Sequence, residues 1–160
     1  MTPEIQSFLI DWDREFATSA RVIGNLPPTA LEYRPHPKSM SAGELAWHLG
    51  AAERMATGWY LSGKPPAGKG PEGPKVLQDL LQAITLQHQG LVAQVREAPD
   101  AHWARPLPFH NGQTLTGGQL LKLLVLRHNI HHRGQLSVYL RLLGARVPAI
   151  YGPSADDKGG

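Results

Sequence analysis

Three histidines carry the chemistry open to this chain. His128 and His132 stand four apart in Arg127–Leu143, RHNIHHRGQLSVYLRLL, within an apolar-periodic segment running from near Thr116 to Gly144. Leu121, Leu124, Val125, His128, His132, Gln135, Tyr139 and Leu142 recur at spacings of three and four, which predicts one shared helix face. Side chains at i and i+4 lie roughly 6 Å apart on neighbouring turns, so both imidazoles reach a single metal ion without bending the backbone. His131 competes for a place, since His128 and His131 at i, i+3 are also neighbours, and spacing leaves both pairings open. His48 comes three residues after Leu45 and four before Ala52, so it faces inward on a different predicted helix. Two helices of a bundle can bring one and two ligands to a shared point. Three neutral imidazoles with one or two waters form the open arrangement of a catalytic metal, whereas a structural zinc is closed by four protein ligands. Such an ion lowers the pKa of bound water to about 7, or activates an exogenous thiol as thiolate.

The other polar residues define that centre less sharply. His36, His88, His102 and His110 lie in loops or outside any coherent inward pattern and are expected to face solvent. Gln135, one turn beyond His132, is placed either to donate to a bound water or substrate or simply to pack. Arg133 is expected in an inter-helix ion pair, and Gly134 suits close approach of another helix. Glu44 and Glu53 can accept hydrogen bonds from ligand imidazoles. Neither reads as a general base: Glu44 belongs to a capping box, and Glu53 is five residues from His48. No catalytic side chain is assigned. Gly58–Lys64 has the spacing of a phosphate-binding loop, but Pro65 stands where a hydroxyl must meet magnesium, and no G-x-S-x-G is present.

Four amphipathic helices are needed to position these groups. The first runs from Pro3 to about Leu26, with Thr2 as N-cap, Pro3 in the first turn and a stripe through Ile5, Phe8, Trp12, Phe16 and Ile23. Thr29–Met40 is proline-punctuated and expected to be extended. Ser41-Ala-Gly-Glu44 is a capping box that opens the second helix, to about Ser62, with Leu45, His48, Leu49, Ala52, Met55, Ala56 and Trp59 inward. Gly63–Pro74, GKPPAGKGPEGP, is expected to be an exposed, mobile loop. The third helix spans about Lys75 to Glu97, followed by an irregular stretch with one short turn near Ala101–Ala104. Thr116-Gly-Gly-Gln119 opens the fourth helix, and Gly144 closes it. With no convincing strand and no repeat, the prediction is an all-α four-helix bundle, residues 1–150 as one domain and 151–160 as a tail whose polar end frays, with Ile150 and Tyr151 able to fold back onto the body. The two longer links, 27–40 and 98–115, leave the handedness of connection open.

Composition excludes several classes. At 160 residues with 41% apolar content the chain can bury a sizeable core. Cysteine is absent, so any metal is held by imidazole, oxygen or water, which suits zinc, nickel or iron. The net charge of +3 comes from scattered basic residues with no basic-aromatic footprint, so no nucleic-acid partner is expected. No run approaches the roughly 20 apolar residues of a membrane span. The acidic N-terminus does not resemble a signal peptide, so the expected address is the cytoplasm.

His48 within SAGELAWHLGAAE, followed about 80 residues later by HNIHHRGQL, resembles the DinB-like (DinB/YfiT) metal-dependent family, as does Leu31-Glu-Tyr-Arg-Pro ahead of the second helix. The similarity runs helix for helix along the chain. It implies a four-helix bundle in which His48, His128 and His132 hold one divalent ion, zinc or nickel, with iron as a further option, and His131 is a neighbour. It also implies a low-molecular-weight thiol as cosubstrate, a small-molecule substrate and a homodimer. The activities implied are thiol transfer to an electrophile, thiol-dependent isomerisation, or hydrolysis. The alternative is a non-enzymatic stress-response module that binds metal or a small ligand.

Overall fold

The computed structural model describes residues 1–68 and 70–158; Lys69 in the glycine–proline loop and the last two residues of the tail lie outside it. Helices α1 (Pro3–Gly24), α2 (Ala42–Ser62) and α3 (Leu77–Glu97) form three rods of the bundle. A single turn, α4 (Ala101–Ala104), and a hairpin of β1 (Pro106–Pro108) and β2 (Thr114–Thr116) lead into the fourth rod. That rod is composite: α5 (Gly117–Leu121), a π-helical stretch Lys122–Arg127, and α6 (His128–Leu142). The all-α bundle expected from the pattern is the fold that forms.

The helix starts are fixed locally. Thr2 Oγ1 accepts from the Ile5 N–H, and Pro3 supplies a first position that needs no donor. Ser41 Oγ accepts from the Glu44 N–H at 3.2 Å while Glu44 Oε2 accepts from the Ser41 N–H at 2.8 Å. Thr116 and Gln119 repeat this reciprocal pair at 3.2 and 2.8 Å. The first box sets where α2 begins and so the direction in which His48, two turns later, points.

α1 packs on α3 and α6, and α2 packs on the same two, so α1 faces α2 and α3 faces α6 across the diagonals of the bundle. The connections that must cross a diagonal, 25–41 and 98–116, are the longer ones. The core has two apolar ends. One gathers Val22, Leu45, Leu49, Leu80, Ile84, Leu136 and Leu140, the other Phe8, Trp12, Ala56, Leu91, Val125 and Leu121. Between them lies a buried polar layer.

Several local expectations are corrected. Thr29–Met40 is not extended: Pro28–Ala30 forms a 3₁₀ turn, continued by the Tyr33 N–H donating to the Ala30 carbonyl, because proline φ suits a turn as well as a strand. Two short strands appear where none were expected; Asn111 and Gly112, both at positive φ, make the reversal, and Leu107 is buried beneath it with Trp59 and Leu120. Gly134 has nothing near the position a Cβ would take, so no helix approaches it. The glycine–proline loop is largely exposed, as expected, but is tied to α2: Trp47 Nε1 donates to the Pro71 carbonyl at 2.9 Å, and Gly73 packs on the Trp47 ring. The described part of the tail returns to the body. Asp156 accepts from Arg141 and from the Val147 N–H, and Ser154 Oγ donates to the Val147 carbonyl at 2.6 Å. Among the described residues no helix is long and apolar enough to cross a membrane.

Candidate metal centre

The fourth rod is not the uniform helix its periodicity predicts. The His128 N–H bonds to the Leu123 carbonyl five residues back, a π-type closure that ends on a candidate ligand. The wider turn resets the face pointing at the bundle axis. The buried stripe is Val125, Asn129, Arg133, Leu136 and Leu140, while His128 and His132 lie half-buried on its flank, towards α2. Leu142, expected on the inner face, is 58% exposed, and Met55, expected inward on α2, is 37% exposed.

From α2, His48 meets the pair. Its Nε2 lies 3.3 Å from His128 Nε2, and His128 Nε2 lies 3.1 Å from His132 Nε2. The ring planes are steeply inclined to one another, so the three imidazoles converge rather than stack. One ring nitrogen from each falls within 4.8 Å of the other two. Bonds of about 2.0–2.1 Å to a common ion set adjacent nitrogens roughly 2.9–3.4 Å apart, so both close separations fit a shared cation. Three neutral imidazole nitrogens are also the donor set expected of zinc, nickel or iron.

The protonation states agree. Burial first, and then the neighbouring His132 and His128, push the His48 imidazole down to about 4. Burial and His132 lower His128 in the same sense. Both rings are therefore neutral at pH 7 with lone pairs free. His132 Nδ1 donates to Gln135 Oε1 at 2.8 Å, which fixes the tautomer that leaves Nε2 free towards His128. The Gln135 amide nitrogen lies 3.1 Å from His131 Nε2, and the exposed His131 ring stands edge-on to His132 with centroids 4.9 Å apart, outside the group of three converging nitrogens. Gln135 thus holds the His132 ring, a contact legible in the sequence only as its i, i+3 spacing from His132. Gln135→Leu is expected to weaken metal binding by about 10–100-fold with unchanged helicity, read by competition with a chromophoric chelator.

A pH dependence follows from His48. Its folded-state pKa is below its unfolded value, so the unfolded chain binds more protons between about 4 and 6.5. The chelated protein should lose stability as pH falls through that window. The loss should be smaller in His48→Ala, with the urea midpoint measured against pH for both.

Two expectations about neighbouring residues are overturned. His88 does not face solvent. It is 4% exposed, with Nδ1 at 3.1 Å from Glu53 Oε2 and Nε2 at 2.9 Å from Asp13 Oδ1, and its ring stacks on Phe16. Burial acts to lower its pKa, but Glu53 and Asp13 outweigh this and raise it. Glu53 does not orient a ligand imidazole. Its carboxylate, 2% exposed, accepts from Trp12 Nε1 at 2.9 Å and from Asn129 Nδ2 at 3.3 Å, besides pairing with His88. Both residues are drawn in because the polar layer spans the bundle at the height of the histidine cluster, where a carboxylate and an imidazole satisfy each other. Glu44 remains with Ser41 and Arg34. His36 and His110 are exposed as expected, and His102 is half-buried. Arg133 makes the expected inter-helix ion pair, with Glu15 at 2.6 Å, but from the core, where it is 1% exposed; Tyr151 closes over it from the tail.

Residues 11–136 match the model of the DinB superfamily. An uncharacterized Bacillus subtilis protein, YrdA, is 27% identical over 158 residues, covering 98% of this chain and 93% of its own. Two crystal structures of DinB-like proteins share the fold at 22% identity. The one from Bacillus subtilis has a TM-score of 0.73 and coverage of 96% and 99%; the one from Bacillus cereus has 0.75, with 91% and 97%. A mycothiol-dependent maleylpyruvate isomerase aligns at a TM-score of 0.52 and 14% identity, over 92% of this chain and 65% of its own.

Proposed function

From the premise that this chain belongs to the DinB superfamily, we propose that it is a metal-dependent enzyme whose His48, His128 and His132 hold one divalent ion, zinc or nickel, on which a small thiol or water is activated. The observation that carries this reading is the convergence of three Nε2 atoms from two helices, with adjacent separations of 3.1 and 3.3 Å. A divalent ion there supplies a Lewis-acid centre that makes a bound thiol or water acidic near neutral pH. The chain supplies the rest. Burial keeps His48 and His128 neutral, and Gln135 orients His132. A cleft bordered by His48 and His128 leaves room beside the cluster for a substrate. Among the described residues no carboxylate bonds to the three rings, so these residues hold and orient rather than shuttle protons.

Thiol-dependent transfer to an electrophile is the preferred reaction, with hydrolysis second. The support is family membership together with an open, cysteine-free donor set; the isomerase contributes only a shared fold. The test uses protein purified without a histidine tag and reloaded with zinc or nickel. Thiols, mycothiol and bacillithiol among them, are presented with electrophilic acceptors, and turnover should vanish on chelation and return with metal. An ion bound at one per chain with no turnover for any pair would favour the binding-module reading, and no ion bound after reloading would overturn both.

A further inference from the structure

Two clefts reach His48, one of about 420 Å³ and one of about 470 Å³, and Arg54 lies in the wall between them. They differ in charge. The first is lined by Glu32, Glu44 and Glu72 as well as by cations. The second, which also reaches His128, is lined by Arg54 and Lys64 with no carboxylate among the described residues. Arg54 is half-buried and held in place. Its Nη1 donates to Gln87 Oε1 at 2.6 Å, Gln87 Nε2 donates in turn to the Gly50 carbonyl at 2.6 Å, and the guanidinium sits 5.7 Å from the Trp47 ring centre. None of these partners is an anion, and no ion pair to Arg54 forms among the described residues. Arg54 borders both clefts, and on the side of the second it is a fixed guanidinium with neutral partners and no lining carboxylate among the described residues, preorganised to receive an anion there.

The remaining walls set the shape of the ligand. Met55, Trp59 and Pro65 give the cleft an apolar side, and Gly70 brings loop backbone against the guanidinium, where a Cβ would sit 2.5 Å from Arg54 Nη2. Arg54 lies six residues beyond His48 on α2, a rise of roughly 9 Å, so one ligand reaching both places its anionic end several bonds from its metal-side end.

We infer that Arg54 anchors a carboxylate carried by the ligand that fills the larger cleft, with the ligand's apolar chain along Met55 and Trp59 and its reactive end at the histidine cluster. This rests on the metal-dependent reading above and names the substrate class for the same site. The carboxylate belongs either to the thiol or to its acceptor, and the test separates the two.

The cobalt-loaded protein is titrated with mercaptohexanoate and with mercaptohexanol, reading the thiolate-to-cobalt absorption. Binding of the acid at least about 10-fold tighter than the alcohol, with that preference lost in Arg54→Gln and alcohol affinity unchanged, establishes the anchor on the thiol side. In parallel, hexanoate is titrated into ¹⁵N-labelled protein and the Arg54 Nε–H resonance followed; this arm needs no metal. A saturable shift there without acid preference among the thiols places the carboxylate on the acceptor. No shift with hexanoate together with equal binding of the two thiols overturns the anchor, as does an acid preference that survives in Arg54→Gln. A protein that takes up cobalt, shows no thiolate band and still shifts with hexanoate keeps the anchor and loses the thiol reading. Arg54→Lys, which keeps the charge and loses the planar fork, should retain part of the preference and guards against a folding artefact.

Discussion

His48→Ala should reduce bound metal from about one ion per chain to under a tenth, with affinity falling by more than about 100-fold, beyond the range for losing only a partner of a ligand. The reason is geometric. His48 is the only member of the cluster from α2, and without it the ion is left with two imidazoles from one helix. The fold should survive, because α2 is held by its capping box and by Leu45, Leu49, Ala52 and Ala56, all buried whatever stands at 48. Metal analysis of untagged protein and far-ultraviolet circular dichroism on the same sample read both halves. Full metal content in the variant would remove His48 from the site, and a collapsed fold would make the centre structural.

The largest stability effect is expected one turn further along α2. Glu53→Ala should cost about 3–5 kcal/mol, the range for breaking a buried charge pair from one side. The substitution strips the acceptor from Trp12 Nε1, Asn129 Nδ2 and His88 Nδ1 together, in a layer water does not reach. At roughly 2–4 °C per kcal/mol for a chain of this size, the melting temperature should fall by about 10 °C. Glu53→Gln, which keeps an oxygen for Trp12, should cost less. The His88 pair adds a signature in pH. Its folded pKa is raised above the unfolded value, so the stability it contributes is fully present below about 6.5 and is lost as pH rises through the folded pKa. Loss of Glu53 should flatten that slope while metal content per folded chain stays unchanged. An unaltered melting temperature would mean the layer is hydrated and carries little of the stability.

Periodicity, capping residues and the histidine spacing are local properties, and local properties can be read from sequence. The two capping boxes form at Ser41 and Thr116, and His48, His128 and His132 converge, though the last two do so from the flank of the fourth rod and not from its inward face. Gln135 is legible as a neighbour of His132, but its carbonyl accepts from the ring instead of its amide donating to a substrate.

Local sequence sets the rods and the ends of most of them, because turn-by-turn hydrogen bonding and side-chain period depend on neighbours a few residues away; it narrows the inward imidazoles to His48, His128 and one of His131 or His132, and the family resemblance makes the choice between those two. Tertiary structure alone decided the π turn ahead of His128, the pairing of α1 with α3 and α6, and the burial of His88, Glu53, Asn129 and Arg133 as a polar layer between two apolar ends. A polar side chain's place depends on whether a partner from another helix arrives to satisfy it, and that partner lies 35 residues away for His88 and Glu53 and 76 for Asn129 and Glu53. No window along the chain contains both halves of such a bond.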